Sequence, residues 1–167
     1  MKKLKIYLET SAISNLDDKR NQKEMLEMHK LWELLKQDVY DTVISYVVLE
    51  EIHKNKNFSK INKLLSLLDQ ITFGFIDKSN IIEEVAEDII MNNILTRKSF
   101  NDCLHLSCAM TSNCDCIVSY NMNHLVNIKT IKGVQALSMK YGYIIMNIHT
   151  AGALLTKGDT NDSRRIK

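Results

Sequence analysis

Apolar positions in this chain follow two patterns. Some form short unbroken runs, and others recur at helical spacing. Ile6, Tyr7 and Leu8 are continuous within Lys5–Glu9, which predicts a strand covered on both faces. Tyr40–Ser45 predicts a second short strand, Thr72–Ile76 a third rich in β-branched and aromatic residues, and Tyr143–Ile148 a last one. Between these runs, Met25, Met28, Leu31, Trp32 and Leu35 make a helical stripe over Glu24–Lys36. Ile61, Leu64, Leu65 and Leu68 do the same over Phe58–Asp69, and Ile82, Val85, Ala86 and Ile89 over Ser79–Leu95. Ser45 reads as the N-cap of a helix to about Lys54, and Gly133–Tyr141 as a short helix. Ser99–Leu125 reads as a helix, a break at Ser112 and Asn113, a buried strand and a polar loop. Strands alternating with helices predict an α/β fold, a three-layer α/β/α arrangement on a roughly five-stranded parallel sheet.

Composition narrows this picture without redirecting it. The 167 residues are 45% hydrophobic and 25% charged, with a net charge of +2. That length and balance suit one globular domain, read here as residues 1–155, followed by a polar, disordered C-terminal tail at 156–167. Proline is absent, and no stretch reads as a linker or repeat. The basic N-terminus lacks the apolar run of a signal peptide, and no segment is apolar enough to span a bilayer, so a cytoplasmic protein is expected. Cys103, Cys108, Cys114 and Cys116 do not have paired zinc-ligand spacing. They read as small buried residues in a reducing compartment.

In an open parallel sheet, ligands bind beyond the carboxyl ends of the strands. Glu9 ends the first strand, Glu51 lies on the apolar side of the helix after the second, Asp102 opens the helix before the fourth, and Asn121 follows that strand. Carboxylates converging on one edge repel each other unless a cation sits among them. Mg2+ or Mn2+ suits an all-oxygen site. Each residue also has a plainer reading. Asp102 could close a capping box with Ser99, Glu9 could be an exposed strand end, and Asn121 and Asn123 suit any turn. His105 could bond Asp102 one turn away or be an ordinary helix histidine. His124 shows no partner.

The segments YLETS, ISYVVLEEI and NDCLHLSCAM-x3-CDCIVSYNMNHL, with the late NIKTIKGVQALSMKYGYIIMNIHTAGAL, resemble the PIN domain family and most of all its VapC-type toxin ribonucleases. The likeness runs from Lys5 to about Leu155. It implies a parallel sheet flanked by helices and Mg2+- or Mn2+-dependent endonuclease cleavage of RNA. The family's acids fall on Glu9, Glu51 and Asp102 as metal ligands, with Asn121 at the fourth catalytic position. Ser119 falls on the hydroxyl residue of that turn, and Thr10 adjoins the first acid. Two positions depart from the pattern. Glu9 replaces the usual Asp, and Asn121 offers a neutral oxygen. Shortening Glu9 to Asp would restore the family length and is expected to keep or raise activity.

Arg20, Lys54, Arg97 and Lys98 are candidate contacts to substrate phosphates. RNA is the expected substrate, with an antitoxin protein and a second copy of the chain as possible partners. A PIN-fold module that binds RNA or protein without turnover is the competing reading, because of the two departures. A receiver-like phosphorylation domain is disfavoured, since no strand ends on a convincing phosphoacceptor Asp.

Overall fold

Strand β1 (Lys5–Leu8) is the centre of the molecule, with Ile6, Tyr7 and Leu8 all at 0% exposure. The computed structural model describes residues 2–162. On one side of β1 lie β2 (Asp41–Ser45) and then β3 (Gly74–Ile76). On the other lie β4 (Cys116–Val118) and then β5 (Asn147–His149). Every pairing is parallel, with Ile6 opposite both Thr42 and Cys116. The five-stranded α/β/α sheet expected from the pattern is the one observed. The chain reverses its direction of strand addition between β1 and β4, so the carboxyl ends of these strands form a crevice.

The helices are α1 (Thr10–Asn15), α2 (Gln22–Lys36), α3 (Tyr46–His53), α4 (Phe58–Leu68) and α5 (Asn80–Met91). They are followed by α6 (Phe100–Thr111), α7 (Ile128–Tyr141) and α8 (Ala151–Asp162). Helix α6 is buried on every side from Cys103 to Met110. A helix apolar all round belongs in the interior, and α6 is packed there against α5. It ends where Asn113 takes a left-handed φ of 52°, which asparagine tolerates. The Asn113 side chain then accepts from Ile144 N–H at 3.1 Å.

Element ends differ from the sequence reading in instructive ways. The Thr10 and Ser11 turn is a full helix, α1, capped by Glu9. Helix α7 begins at Ile128, because the Asn127 side chain caps it at Thr130 N–H, and Gly133 lies within it. Strand β5 is Asn147–His149, shorter and later than Tyr143–Ile148. Helix α8 carries the backbone to Asp162, into the stretch read as a tail, and residues 163–167 lie outside the described residues.

Gly133 is in the middle of α7 for a steric reason. A Cβ there would meet Ile94 Cγ1 at 2.7 Å and Cγ2 at 3.0 Å. Gly133→Ala should therefore lower stability by about 1–2 kcal/mol, overpacking outweighing the better helix propensity of alanine. Urea unfolding checks this, and Ile94→Val should recover part of the loss. An unchanged or higher midpoint in Gly133→Ala would show that Ile94 yields freely.

Candidate active site

The crevice between β1 and β4 gathers side chains from four places in the chain. Glu9 leaves the end of β1 and turns back to cap α1, its Oε1 accepting from Ser11 N–H at 3.0 Å. Its Oε2 accepts from Ser119 Oγ at 2.8 Å and, at shorter range, from Ser11 Oγ. The residue is 5% exposed, so the exposed-end reading does not hold. Ser11 Oγ also accepts from Tyr120 N–H at 2.9 Å, and Ser119 Oγ from Asn121 N–H at 3.0 Å. Two serine hydroxyls thus fix the carboxylate against the turn after β4.

Glu51 comes from α3, whose first turn is capped by Ser45 Oγ accepting from Val47 N–H at 3.2 Å. Thr10 Oγ1 donates to Glu51 Oε1 at 2.9 Å, and His105 Nε2 bonds the same oxygen. His105 is fully buried, and its Nε2 is 3.9 Å from Glu9 Oε1. Its other nitrogen, Nδ1, lies 2.6 Å from Tyr7 Oη, which lies 2.6 Å from Ser45 Oγ. A buried polar line thus joins Glu51, His105, Tyr7 and Ser45.

Asp102 is placed differently. Ser99 makes no side-chain capping bond to α6, so the capping-box reading fails. The Asp102 carboxylate accepts from Asn121 Nδ2 at 3.0 Å and pairs with His124 Nδ1 at 2.8 Å. Asn121 Oδ1 in turn accepts from His124 N–H at 3.1 Å, which fixes the loop. His105, expected either to bond Asp102 or to be an ordinary helix residue, bonds Glu51 instead. His124, which showed no partner in the sequence, is the one that holds Asp102.

Burial and charge act together here. Burial alone would raise the Glu51 carboxyl, but the bonds from His105 and Thr10 and the charge of Lys54 bring it below its ordinary value. Burial raises Asp102 above its ordinary value, the partly opposing pull of His124 notwithstanding, and the Glu9 charge adds to the rise. Burial would lower His105, yet the bond to Glu51 and the charges of Glu9, Glu51 and Asp102 raise it. Burial pushes the Cys103, Cys108 and Cys114 thiols up to about 12, so none is poised as a thiolate ligand.

These shifts set a stability profile. Raised above 6.5 in the folded state, His105 contributes stability that is complete below 6.5 and lost as pH rises through its folded pKa. Lowered below 4.5, Glu51 contributes stability present above 4.5 and lost as pH falls through its own folded pKa. In the presence of a chelator, Tm should therefore fall as pH is raised above 6.5 and through the folded pKa of His105. A Tm flat over that range would argue against a charged His105–Glu51 pair.

The donors fit a divalent cation. One ligand atom from each of Glu9, Glu51 and His105 lies within 4.8 Å of the others. That is close to the span across one ion with bonds of about 2.1 Å. Two of the four bases expected to surround the acids are engaged elsewhere. Arg20 is held by Asp18 through Nε at 2.8 Å, and Arg97 by Glu87 through Nη2 at 2.6 Å. Lys54 acts on Glu51 through its charge, and Lys98 is exposed on the 3-10 turn before α6. A groove of about 820 Å³ opens beside Ser11, lined among others by Lys19, Arg20, Lys60 and Lys63.

No family model matches the chain, and no curated protein matches it in sequence. Solved structures do match. VapBC2 from Rickettsia felis, bound to a DNA fragment from its promoter, is 18% identical, with a TM-score of 0.57 over 87% of this chain and 98% of that one. VapC20 from Mycobacterium tuberculosis, a sarcin–ricin loop cleaving toxin, is 12% identical, with a TM-score of 0.56 over 85% of this chain and 98% of that one. The chain has a VapC-like PIN-domain fold. The crevice described above is therefore set in a PIN-like sheet, at the carboxyl ends of its two central strands. Among the described residues, no helix is long and apolar enough to cross a membrane.

Proposed function

We propose that this protein is a Mg2+- or Mn2+-dependent endoribonuclease and the toxin of a toxin–antitoxin pair. The observation that carries this reading is the cluster of Glu9, Glu51 and His105 at the carboxyl edge of a PIN-like sheet, with Asp102 near enough to feel the Glu9 charge. Glu9 and Glu51 would hold the cation, and the Asp102 carboxylate would add a third negative charge beside them. A divalent ion held there supplies Lewis acidity to a phosphodiester and favours deprotonation of water. The chain's own groups do the positioning. Ser119 and Ser11 set Glu9, Thr10 and His105 set Glu51, and Asn121 and His124 set Asp102.

Substrate RNA reaches this edge along the groove beside Ser11. Lys60 and Lys63, which the sequence reading did not single out, stand there with Arg20. Lys63 is paired with Asp17, a contact that an incoming phosphate can exchange. A Lys60→Glu, Lys63→Glu double variant should bind RNA more weakly for every sequence, with a salt slope smaller by about 1 to 2. Filter binding at several salt concentrations measures this, and an unchanged slope would place the RNA elsewhere. An antitoxin protein and a second copy of the chain are the partners this reading expects.

The deciding experiment is cleavage of mixed RNA with Mg2+ or Mn2+, with and without chelator. Metal-dependent fragments that disappear in a site variant support the nuclease. The competing reading, a binding module without turnover, draws on Asn121, whose amide is neutral and engaged with Asp102. RNA binding with no metal-dependent cleavage would select it.

A further inference from the structure

We propose that His105 is itself a ligand of the cation, through Nε2, making the site a mixed nitrogen–oxygen one that prefers Mn2+ to Mg2+. The inference rests on the reading of Glu9 and Glu51 as cation ligands and adds a donor to it. Three observations support it. His105 is fully buried, and its Nε2 faces the two carboxylates, bonded to Glu51 Oε1 and 3.9 Å from Glu9 Oε1. The ligand atoms that lie within 4.8 Å of one another are those of Glu9, Glu51 and His105. Asp102 is not among them, and its carboxylate is bonded to Asn121 and His124 instead.

The far side of the ring is arranged as a ligand histidine requires. Metal-bound imidazoles donate their second N–H to a fixed acceptor, which sets the ring and the tautomer. Here Nδ1 is 2.6 Å from Tyr7 Oη, on the central strand, and Tyr7 Oη is 2.6 Å from the Ser45 hydroxyl that caps α3. The Tyr7 ring meets the imidazole edge-on at 5.8 Å between centroids, so the ring has little freedom to swing. With Nδ1–H donated to Tyr7, Nε2 faces the carboxylates and shares a proton with Glu51. A cation would take the place of that proton, which would leave to solvent and free the Nε2 lone pair for the ion. Mg2+ prefers oxygen ligands and dehydrates reluctantly, whereas imidazole suits first-row transition ions, so a nitrogen donor at this position favours Mn2+.

The test uses the full chain loaded with Mn2+ and read by electron spin-echo modulation, which detects nitrogen bound to the ion. The parent should show nitrogen coupling that changes when histidine is 15N-labelled. The coupling should persist in His124→Gln and vanish in His105→Gln. Calorimetry should show the preference for Mn2+ over Mg2+ falling about tenfold in His105→Gln. Tyr7→Phe, which leaves the ring in place, should keep the coupling and weaken Mn2+ binding about tenfold. Should His105→Gln not fold, the labelled parent, His124→Gln and Tyr7→Phe still decide. Mn2+ bound without nitrogen coupling, and weakened by Glu51→Gln, would overturn the His105 ligand and leave the carboxylate site standing. Coupling that survives in a folded His105→Gln would also overturn it. No Mn2+ binding by the parent would remove both readings.

Discussion

Asp102→Asn should lower metal-dependent RNA cleavage by about 100-fold or more while leaving the protein folded. The expectation comes from where Asp102 sits. Its carboxyl is raised above its ordinary value, whereas that of Glu51 is lowered, and it is held from the crevice rim by Asn121 and His124. A carboxylate in that position can accept a proton from water or help place the cation. An amide of the same size can do neither with charge. The carbonyl of Asn at 102 could still accept from Asn121 Nδ2, so the loop after β4 keeps one of its two ties. The expected stability loss is therefore modest, about 1 kcal/mol. Matched thermal melts with a cleavage time course test both halves. Equal cleavage by the parent and Asp102→Asn, at equal folding, would remove Asp102 from the chemistry.

Much of this arrangement is legible in the sequence. The unbroken run of Ile6, Tyr7 and Leu8 marks a strand buried on both faces, and its burial is complete. The helical stripes of α2, α4 and α5 contain the residues that are buried in each, with Met25 and Leu65 at their half-buried margins. Glu9, Glu51 and Asp102 were identifiable because they sit at strand ends or on helix faces that the topology turns to one edge. What the pattern could not carry was the pairing inside the crevice. His105 is surrounded in sequence by Cys103, Leu104 and Leu106, so spacing offers it only Asp102, one turn away, or an ordinary helix position. Its partner Tyr7 lies 98 residues away, and Tyr7 reads as one more apolar residue of β1. His124 has no local partner, because Asp102 reaches it from 22 residues upstream. Helix α7 reads short in the sequence because Gly133 looks like a start. Its role there depends on Ile94, a contact across the fold. The basic residues misled for a similar reason. Arg97 is conspicuous in sequence yet neutralised by Glu87, while Lys60 and Lys63 are ordinary helix lysines until the groove is seen.

The same crevice changes the expectation for Glu9. Read from the sequence, Glu9→Asp restores a usual length and should keep or raise activity. The structure points the other way. The Glu9 carboxylate is received by Ser11 N–H, Ser11 Oγ and Ser119 Oγ, so the surrounding hydroxyls are placed for the longer side chain. Aspartate at the same backbone position remains a good cap for Ser11 N–H. Being about 1.5 Å shorter, it cannot also keep Ser119 Oγ, and errors of about 1 Å in positioning can cost 100-fold in rate. Glu9→Gln keeps the length and loses the charge. Its carbonyl can retain Ser11 N–H, and the Ser119 hydroxyl can rotate to accept from the amide, so folding should lose about 1–2 kcal/mol. Metal binding should lose more, because a neutral oxygen replaces a charged one. The expected order of Mn2+ affinity is parent, then Glu9→Asp, then Glu9→Gln, and cleavage should follow it. Calorimetry and cleavage at matched folding stability give the order directly. Glu9→Asp cleaving faster than the parent would show that the serines do not hold the longer side chain in its working position. Glu9→Gln binding Mn2+ as tightly as the parent would show that Glu9 caps α1 and does nothing for the cation.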